Sequence, residues 1–302
     1  MKMKFWFAAF AALFVAGTAQ AATYSLTWTG GGTSDADGYY HFDDNDNWSG
    51  GTFTMSDANT YNFSFPATSD EVKILMPDGG GTLSDGGKKF GGTLTFSDDA
   101  KYLFYSTTKR TYQSPNKFSL GSRVKVTFAN LKLEVGGNAD SYVVAPAGSL
   151  LVFDGSEAVL GGTVKTQNSY AGDIQALNGS IVNVPTFTIA ENAKLDIING
   201  SCFESVKTLK LSAGSTTVIE NSTLKCSGAN ATTIAGDVVF RGANARFCFT
   251  TQTGCASITG ASSGARLIFV VPEGGYNSIP FSASLKKAQL PIQISFAIRK
   301  LN

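Results

Sequence analysis

Apolar and polar positions recur around an Asn or Asp that returns every 21 to 24 residues in the middle of the chain. Most residues four and two positions before this marker are apolar, and most of those three positions after it are apolar too. A period of this length with strand-like content predicts a solenoid. The six markers are Asn130, Asp154, Asn178, Asn199, Asn221 and Asn244.

The apolar positions change parity across each marker. A continuous strand cannot do this, because its side chains alternate strictly between two faces. Each marker is therefore predicted to be a corner, where Asn, Asp and Gly tolerate left-handed backbone angles. Gly-Ser follows directly after Asp154, Asn178 and Asn199, which supports this interpretation.

Corners flanked by short β-rich runs predict an all-β fold, a single-stranded, right-handed parallel β-helix solenoid. Its coils would stack at about 4.8 Å, the spacing of hydrogen-bonded strands. An antiparallel β-sandwich with regular turns is the alternative, since it also has short strands at even spacing. Helix is not expected, because apolar residues do not recur at three and four and Gly, Ser, Thr and Asn are abundant.

The N-terminus predicts export. Lys2 and Lys4 precede an apolar run that begins at Phe5, and Ala19-Gln20-Ala21 supplies the small residues of a cleavage site. The predicted organisation is a signal peptide at 1–21, a cap with the first coils at 22–110, repeats of about 23 residues at 111–266 and closing strands at 267–302. No transmembrane segment is expected in the mature chain.

Charge excludes a nucleic-acid footprint. The chain of 302 residues carries 24 basic and 23 acidic residues, and removal of Lys2 and Lys4 leaves 22 basic residues. Nucleic-acid binders cluster Lys and Arg on one face, whereas the basic pairs here are isolated: Lys88-Lys89, Lys109-Arg110 and Lys286-Lys287. We therefore expect no nucleic-acid partner.

Two Trp motifs stand near the predicted mature N-terminus. Thr27-Trp28-Thr29-Gly30 is followed by Asp46-Asn47-Trp48-Ser49-Gly50. This pair resembles the start of bacterial autotransporter-like and adhesin-like β-helix proteins, although Tyr39 and Tyr40 stand where a third Trp is common. The resemblance implies an exported solenoid with an aromatic cap around Trp28 and Trp48, and no translocator barrel is expected after Asn302.

The same aromatic residues have a second interpretation. Trp28, Tyr39, Tyr40 and Trp48 could instead form a platform that stacks on sugar rings. Between the Trp motifs lies an acidic stretch whose oxygen ligands suggest Ca²⁺, but it lacks the third alternate ligand and the Glu of a calcium loop. We expect turn-forming residues there, and no metal or cofactor. The acidic residues are Asp35, Asp37, Asp43, Asp44 and Asp46.

Four cysteines, Cys202, Cys226, Cys248 and Cys255, are candidates for disulfides in an exported protein. The first three are 24 and 22 residues apart, about one coil each, so Cys202 and Cys226 could lie on adjacent coils. Three connectivities are open. A buried column of free thiols is the alternative.

Catalytic motifs are absent from the sequence, and His41 is the only histidine. The hypothesis is therefore an exported structural, surface or adhesin-like solenoid whose partner is an extracellular glycan, a matrix component or a second copy of itself. The alternative is a protein that binds or degrades polysaccharide, with its carboxylates and bases near the corner register. Those residues are Glu157, Glu204, Lys225, Arg241 and Arg246.

Overall fold

A computed structural model describes residues 22–54, 60–78, 92–114, 117–135, 142–161, 169–227, 233–242, 244–249, 266–271 and 293–298. The predicted signal peptide at 1–21 and Cys255 lie outside the described residues. Within the described ranges no helix has the length and hydropathy needed to span a bilayer.

The described chain is almost entirely β, with one 3-10 turn at Asn45–Asn47. In chain order, the first strands are β1 (Thr23–Trp28), β2 (Tyr39–His41), β3 (Trp48–Ser49), β4 (Thr60–Phe65), β5 (Val72–Leu75), β6 (Thr93–Phe96), β7 (Lys101–Tyr105), β8 (Thr111–Ser114), β9 (Lys117–Leu120), β10 (Lys125–Ala129), β11 (Lys132–Val135), β12 (Tyr142–Ala145) and β13 (Leu150–Asp154). They are followed by β14 (Glu157–Leu160), β15 (Ser169–Tyr170), β16 (Asp173–Leu177), β17 (Ile181–Ile189), β18 (Lys194–Ile198), β19 (Cys202–Leu211), β20 (Thr216–Glu220), β21 (Thr223–Cys226), β22 (Thr233–Ile234), β23 (Asp237–Arg241), β24 (Arg246–Phe249), β25 (Arg266–Val271) and β26 (Gln293–Ile298).

The strands form two sheets with parallel pairing, apart from the antiparallel pair of β1 and β3. Sheet I has 11 strands in the order β2-β5-β7-β10-β13-β16-β18-β20-β23-β25-β26, and its outer surface is face 1. The second sheet has 15 strands in two columns, which the long strands β17 and β19 join. The column β8-β11-β14-β21-β24 with the first halves of β17 and β19 gives face 2. The column β1-β4-β6-β9-β12-β15-β22 with their second halves gives face 3.

Each coil therefore runs from face 1 through a corner to face 2, and then through face 3 back to face 1. Because parallel strands pair in register, equivalent residues of successive coils lie above one another. Phe104, Phe128 and Phe153 are one such inward column in sheet I. They are buried in a core that continues from rung to rung, which is how a solenoid stabilises repeats that could not fold alone.

The corner between faces 1 and 2 contains a ladder of left-handed residues. The corner residues Asn130, Asn178, Asn199 and Asn221 have positive φ values, from 48° at Asn221 to 56° at Asn199. Asn199 Nδ2 donates to Asn178 Oδ1 at 3.1 Å, and Asn178 Nδ2 donates to Asp154 Oδ1 at 2.7 Å. Stacked amides therefore connect neighbouring coils at the position where the chain must turn.

Glycine occupies this corner in two coils. Ala129 pairs with Asp154, which aligns Asn130 with Gly155, and Gly155 has the positive φ of 58°. Similarly, Glu220 pairs with Arg241, so Asn221 aligns with Gly242 (φ 79°), and Asn244 lies two residues further on. A Cβ on Gly242 would lie 2.2 Å from Asn221 Oδ1, so the close stacking requires glycine.

A second ladder, of buried serines, lies inside the same corner. Ser156 N donates to Ser180 Oγ at 3.0 Å, Ser180 N to Ser201 Oγ at 3.1 Å, and Ser201 N to Ser222 Oγ at 3.1 Å. Buried amide groups carry a large penalty when they lack a partner. The Ser that follows each corner Asn, directly or after a Gly, therefore satisfies the backbone of the preceding coil.

The opposite corner, between faces 3 and 1, repeats without a shared residue type. Its left-handed positions are Asp99 (φ 63°), Arg123 (φ 56°), Gly148 (φ 81°), Asn192 (φ 63°) and Gly214 (φ 74°). In this ladder Arg123 Nε donates to Asp99 Oδ1 at 2.6 Å, although both side chains are exposed. The structure thus confirms the all-β parallel solenoid and excludes the sandwich alternative.

Candidate functional surfaces

The tryptophans of the N-terminal motifs belong to the core. Trp28 and Trp48 are 3% and 6% exposed, and their rings meet edge to face at 5.0 Å. Trp48 Nε1 donates to the Phe42 carbonyl at 2.8 Å, which satisfies the indole inside the aromatic cluster. Neither ring is accessible for stacking on a ligand. The predicted platform is therefore not formed by these two residues, and the aromatic cluster near the N-terminus contains them instead.

The two tyrosines between the motifs are half-buried, and Tyr40 lies at the edge of that cluster. Tyr40 packs edge-on against Trp28 at 6.2 Å. Tyr39 is on face 1, where its ring lies 5.6 Å from Tyr105 and 5.3 Å from Lys73 Nζ. Partial burial, and then the neighbouring Tyr105 and Asp37, raise the pKa of Tyr39. Its phenol thus stays neutral and forms the N-terminal end of face 1.

The acidic stretch forms turns. Asp35 Oδ1 accepts hydrogen bonds from the backbone amides of Asp37 and Tyr39 at 3.0 and 2.8 Å. Asp44 Oδ1 accepts from Asp46 N at 3.0 Å and caps the 3-10 turn. Carboxylates bound to their own backbone commonly begin turns. Among the described residues, no three His, Cys, Asp or Glu side chains are grouped to hold a metal ion.

Face 2 is charged, and its charges are arranged in pairs. Glu204 accepts from Lys225 Nζ at 3.0 Å and from the Ser227 hydroxyl. This contact raises the pKa of Lys225 through its hydrogen bond with Glu204, despite slight desolvation. Glu157 lies 3.5 Å from Lys109. Exposed ion pairs of this kind contribute little to stability, and each carboxylate here has a cation beside it.

The catalytic candidates do not converge. Glu157 aligns with Ile181 on the next rung, and Ile181 aligns with Cys202 on the rung after that. Cys202 in turn lies two residues before Glu204 on the same strand. These steps separate the two carboxylate positions by about 12 Å, beyond the ~5–9.5 Å of glycoside hydrolases. Arg241 is on face 1, next to Glu220 at 3.7 Å, and Arg246 aligns with Thr223 on face 2. The five residues are thus distributed over two faces.

The cysteines lie on neighbouring coils out of bonding register. Cys202 aligns with Thr223, whereas Cys226 aligns with Ser205, three residues away along the strand. This offset corresponds to about 11 Å, too far for a disulfide, which needs Cα atoms within about 7 Å. Cys202 and Cys248 are free thiols, and no disulfide joins them to Cys226. Burial and the nearby Glu204 raise the pKa of the Cys202 thiol.

Face 3 is rich in hydroxyl groups, which stand in register on successive rungs. Thr27 pairs with Ser64, Ser64 with Thr95, and Thr95 with Ser119. Thr186 pairs with Thr208 further along the same face. These side chains are exposed or half-buried. Their parity puts them outside the core, so this face offers a row of donors and acceptors at strand spacing.

Face 1 has a different character, because its central outward column contains valines that are buried although they point away from the core. Val152 and Val218 are 5% and 3% exposed but do not belong to the hydrophobic core. Strict alternation from the sequence gives no sign of such burial, which depends on the length of the neighbouring outward side chains. The serine ladder and the corner between faces 3 and 1 were also not predicted from the sequence. The Ser after Asn-Gly was a signal from which the serine ladder could have been predicted.

A cavity of about 20 Å³ lies in the core, lined only by apolar side chains that include Phe104 and Phe128. This volume is close to that of one water molecule and is too small for a sugar. This cavity is therefore not a candidate ligand site. Comparisons of the chain with protein-family models, with curated proteins and with solved structures give no match.

Proposed function

We propose that the protein is an exported, non-catalytic, adhesin-like β-solenoid that binds a neutral extracellular glycan through face 3. The observation that carries this proposal is the row of hydroxyl side chains at Thr27, Ser64, Thr95 and Ser119. Hydroxyls donate and accept hydrogen bonds without a net charge, which matches the chemistry of a neutral sugar polymer. A polymer that crosses several rungs would gain affinity from many weak contacts.

Export is supported by the sequence pattern of residues 1–21 and by the resemblance of the Trp motifs to exported adhesin-like β-helix proteins. We expect the full chain, expressed in a bacterium, to be recovered outside the cytoplasm with Ala22 as its first residue. Cell fractionation followed by N-terminal sequencing tests this. Retention of residues 1–21 in a cytoplasmic product would contradict export.

Glycan binding is tested on an array of neutral and acidic polysaccharides with the mature chain. The binding variant is Thr27→Val, Ser64→Ala and Thr95→Val together, which removes three hydroxyls from successive rungs and retains a strand-compatible surface. The matched control is Thr216→Val on face 1, whose side chain is half-buried on a strand of sheet I.

Each lost hydrogen bond is worth about 1 kcal/mol, so the triple variant should bind at least ~10-fold more weakly while the control binds normally. Equal binding by the triple variant and the parent would overturn the role of face 3. The same samples are assayed for new reducing or unsaturated sugar ends. Product formation would contradict the non-catalytic proposal and return attention to the carboxylates of face 2.

A further inference from the structure

Face 1 is an outward surface with a largely buried floor, the central column of sheet I, in which Val152 and Val218 stand among polar residues. Strand pairing aligns Thr127 with Val152, Val152 with Gln175, and Asp196 with Val218 in its central column. Leu103 continues this column, and the columns on either side of it contain Leu75, Leu150, Leu177 and Ile198; all five side chains are half-buried. Apolar side chains of this kind are expected in the interface of an oligomer rather than on a surface exposed to water.

The floor also contains a carboxylate whose hydrogen bonding is incomplete. Asp196 is 3% exposed, and its Oδ2 accepts from Lys194 Nζ at 3.0 Å and from Gln175 Nε2 at 3.2 Å. Its Oδ1 is buried without a hydrogen-bond partner in the described structure. A buried charged oxygen in this state costs free energy. The Oδ1 atom is covered by the chain itself, so the cation beside Asp196 is Lys194.

Charge is divided along face 1. Its first rungs, on β5, β7 and β10, carry Lys73, Lys101 and Lys125 against Glu71. The later rungs, on β13 to β23, carry five carboxylates against two cations: Asp154, Asp173, Asp196, Glu220 and Asp237 against Lys194 and Arg241. One end of the face is basic and the other is acidic, so the face is complementary to an inverted copy of itself.

We propose that face 1 is a homodimer interface in which a second copy packs antiparallel, with a two-fold axis between the β10 and β13 rungs and parallel to the strands. An axis in this direction keeps each column facing itself and reverses the order of rungs. It places Lys73 opposite the partner's Asp196, Lys101 opposite the partner's Asp173, and Leu75 opposite the partner's Ile198.

The area is sufficient for a stable dimer. This arrangement overlaps the eight rungs of β2, β5, β7, β10, β13, β16, β18 and β20. At about 4.8 Å per rung and ~17 Å across five residues, the overlap covers about 650 Å² on each copy. The total of about 1,300 Å² lies within the range of specific interfaces. Face 3 fits this role less well, because its outward row consists of hydroxyl side chains.

The test is the oligomeric state of the mature chain, measured by sedimentation and by light scattering from about 1 to 100 µM, the range in which interfaces of this size can still be weak. Lys101→Glu and Asp173→Lys should each weaken the dimer at least ~10-fold, because the two-fold axis puts two like-charged pairs into the interface. The variant with both substitutions in one chain should dimerise again, because each exchanged charge meets its complement in the partner.

Lys117→Glu on face 3 is the matched control and should leave the dimer unchanged. A monomer at every concentration would overturn the proposal. A dimer that Lys117→Glu disrupts and the face 1 variants leave intact would also overturn it. The same holds if each single substitution weakens the dimer and the double substitution does not restore it. Normal far-ultraviolet circular dichroism of each variant confirms that it folds. Because glycan binding is assigned to face 3, either proposal can fail without the other.

Discussion

The early and later rungs of sheet I have the same parallel strand pairing, but different side chains fill their core. In β7, β10 and β13 the inward column is Phe104, Phe128 and Phe153, whose rings stack at 5.3 and 5.9 Å. In β16, β18 and β20 the same column is Ala176, Ile197 and Ile219. The parallel coil therefore does not require a particular core. It accepts rings or aliphatic chains as long as successive rungs are filled.

The corner changes together with the core. Leu131 is the buried inner corner residue of an early coil, and pairing of Lys132 with Glu157 aligns it with Ser156. From Ser156 onward the corner has serines with their ladder of hydrogen bonds. The polar corner thus begins on the rung of Phe153, one rung before the ring column of sheet I is replaced by Ala176, Ile197 and Ile219. This comparison predicts where each half of the solenoid is sensitive to substitution.

The largest expected effect is on the ring stack. Phe128→Ala removes a buried ring between Phe104 and Phe153, next to the existing core cavity, and should lower the free energy of unfolding by about 3–5 kcal/mol. Urea denaturation followed by circular dichroism measures this change. Ile197→Ala is the later-rung counterpart and should cost less, because it removes a smaller side chain. A larger loss for Ile197→Ala would show that the rings do not dominate the early rungs.

The serine ladder should give the next largest effect. Ser180→Ala removes the acceptor of Ser156 N and the donor to the Phe153 carbonyl, both buried. Leaving a buried amide unpaired costs about 1–3 kcal/mol, so the urea midpoint should fall accordingly. Ser119→Ala on face 3 is the matched control, and it should change stability by no more than about 0.5 kcal/mol. Equal effects of the two substitutions would exclude a structural role for the ladder.

The sequence predicted the features that depend on local chemistry. A left-handed corner favours Asn or Gly in every coil, so the markers repeat and indicate the coil length. The opposite corner uses Asp99, Arg123 and Gly148 at equivalent positions, and therefore leaves no common letter in the sequence. Insertions also move a marker: Asn244 continues the spacing although Gly242 occupies the corner.

The candidate surfaces were less predictable, because they depend on which side chains meet across coils. Alternation assigns Val152 and Val218 to the outside, but their burial by flanking side chains requires the register of several strands. The Trp motifs indicated an aromatic cluster correctly, yet only ring contacts show that Trp28 is inside it. Residue types alone could not distinguish a cap from a ligand platform, because both are made of Trp and Tyr side chains. They differ in whether the rings are buried or exposed.

The smallest expected effect is the part of the alkaline pH response that comes from Tyr102 in the early rungs. Tyr102 occupies an inward position of β7 that is Val126, Leu151 and Ile174 in the following coils. Burial raises the pKa of its phenol well above the ordinary value of about 10, and its hydroxyl donates to the Pro66 carbonyl at 3.1 Å. Deprotonation would remove this donor and put a charge inside the aromatic core.

Because the folded state holds the Tyr102 proton more tightly than the unfolded state, its contribution to stability is complete below pH ~10 and is lost as the pH rises from there toward the raised pKa. The slope should reach at most about 1.4 kcal/mol per pH unit for this tyrosine. Urea midpoints at increasing pH test this, with Tyr102→Phe as the comparison. The Phe variant should lose less stability in alkali than the parent, with the remaining decrease due to Tyr112 and Tyr170, whose pKa values burial also raises. Parallel pH curves for the two proteins would contradict the assignment of this response to the Tyr102 rung.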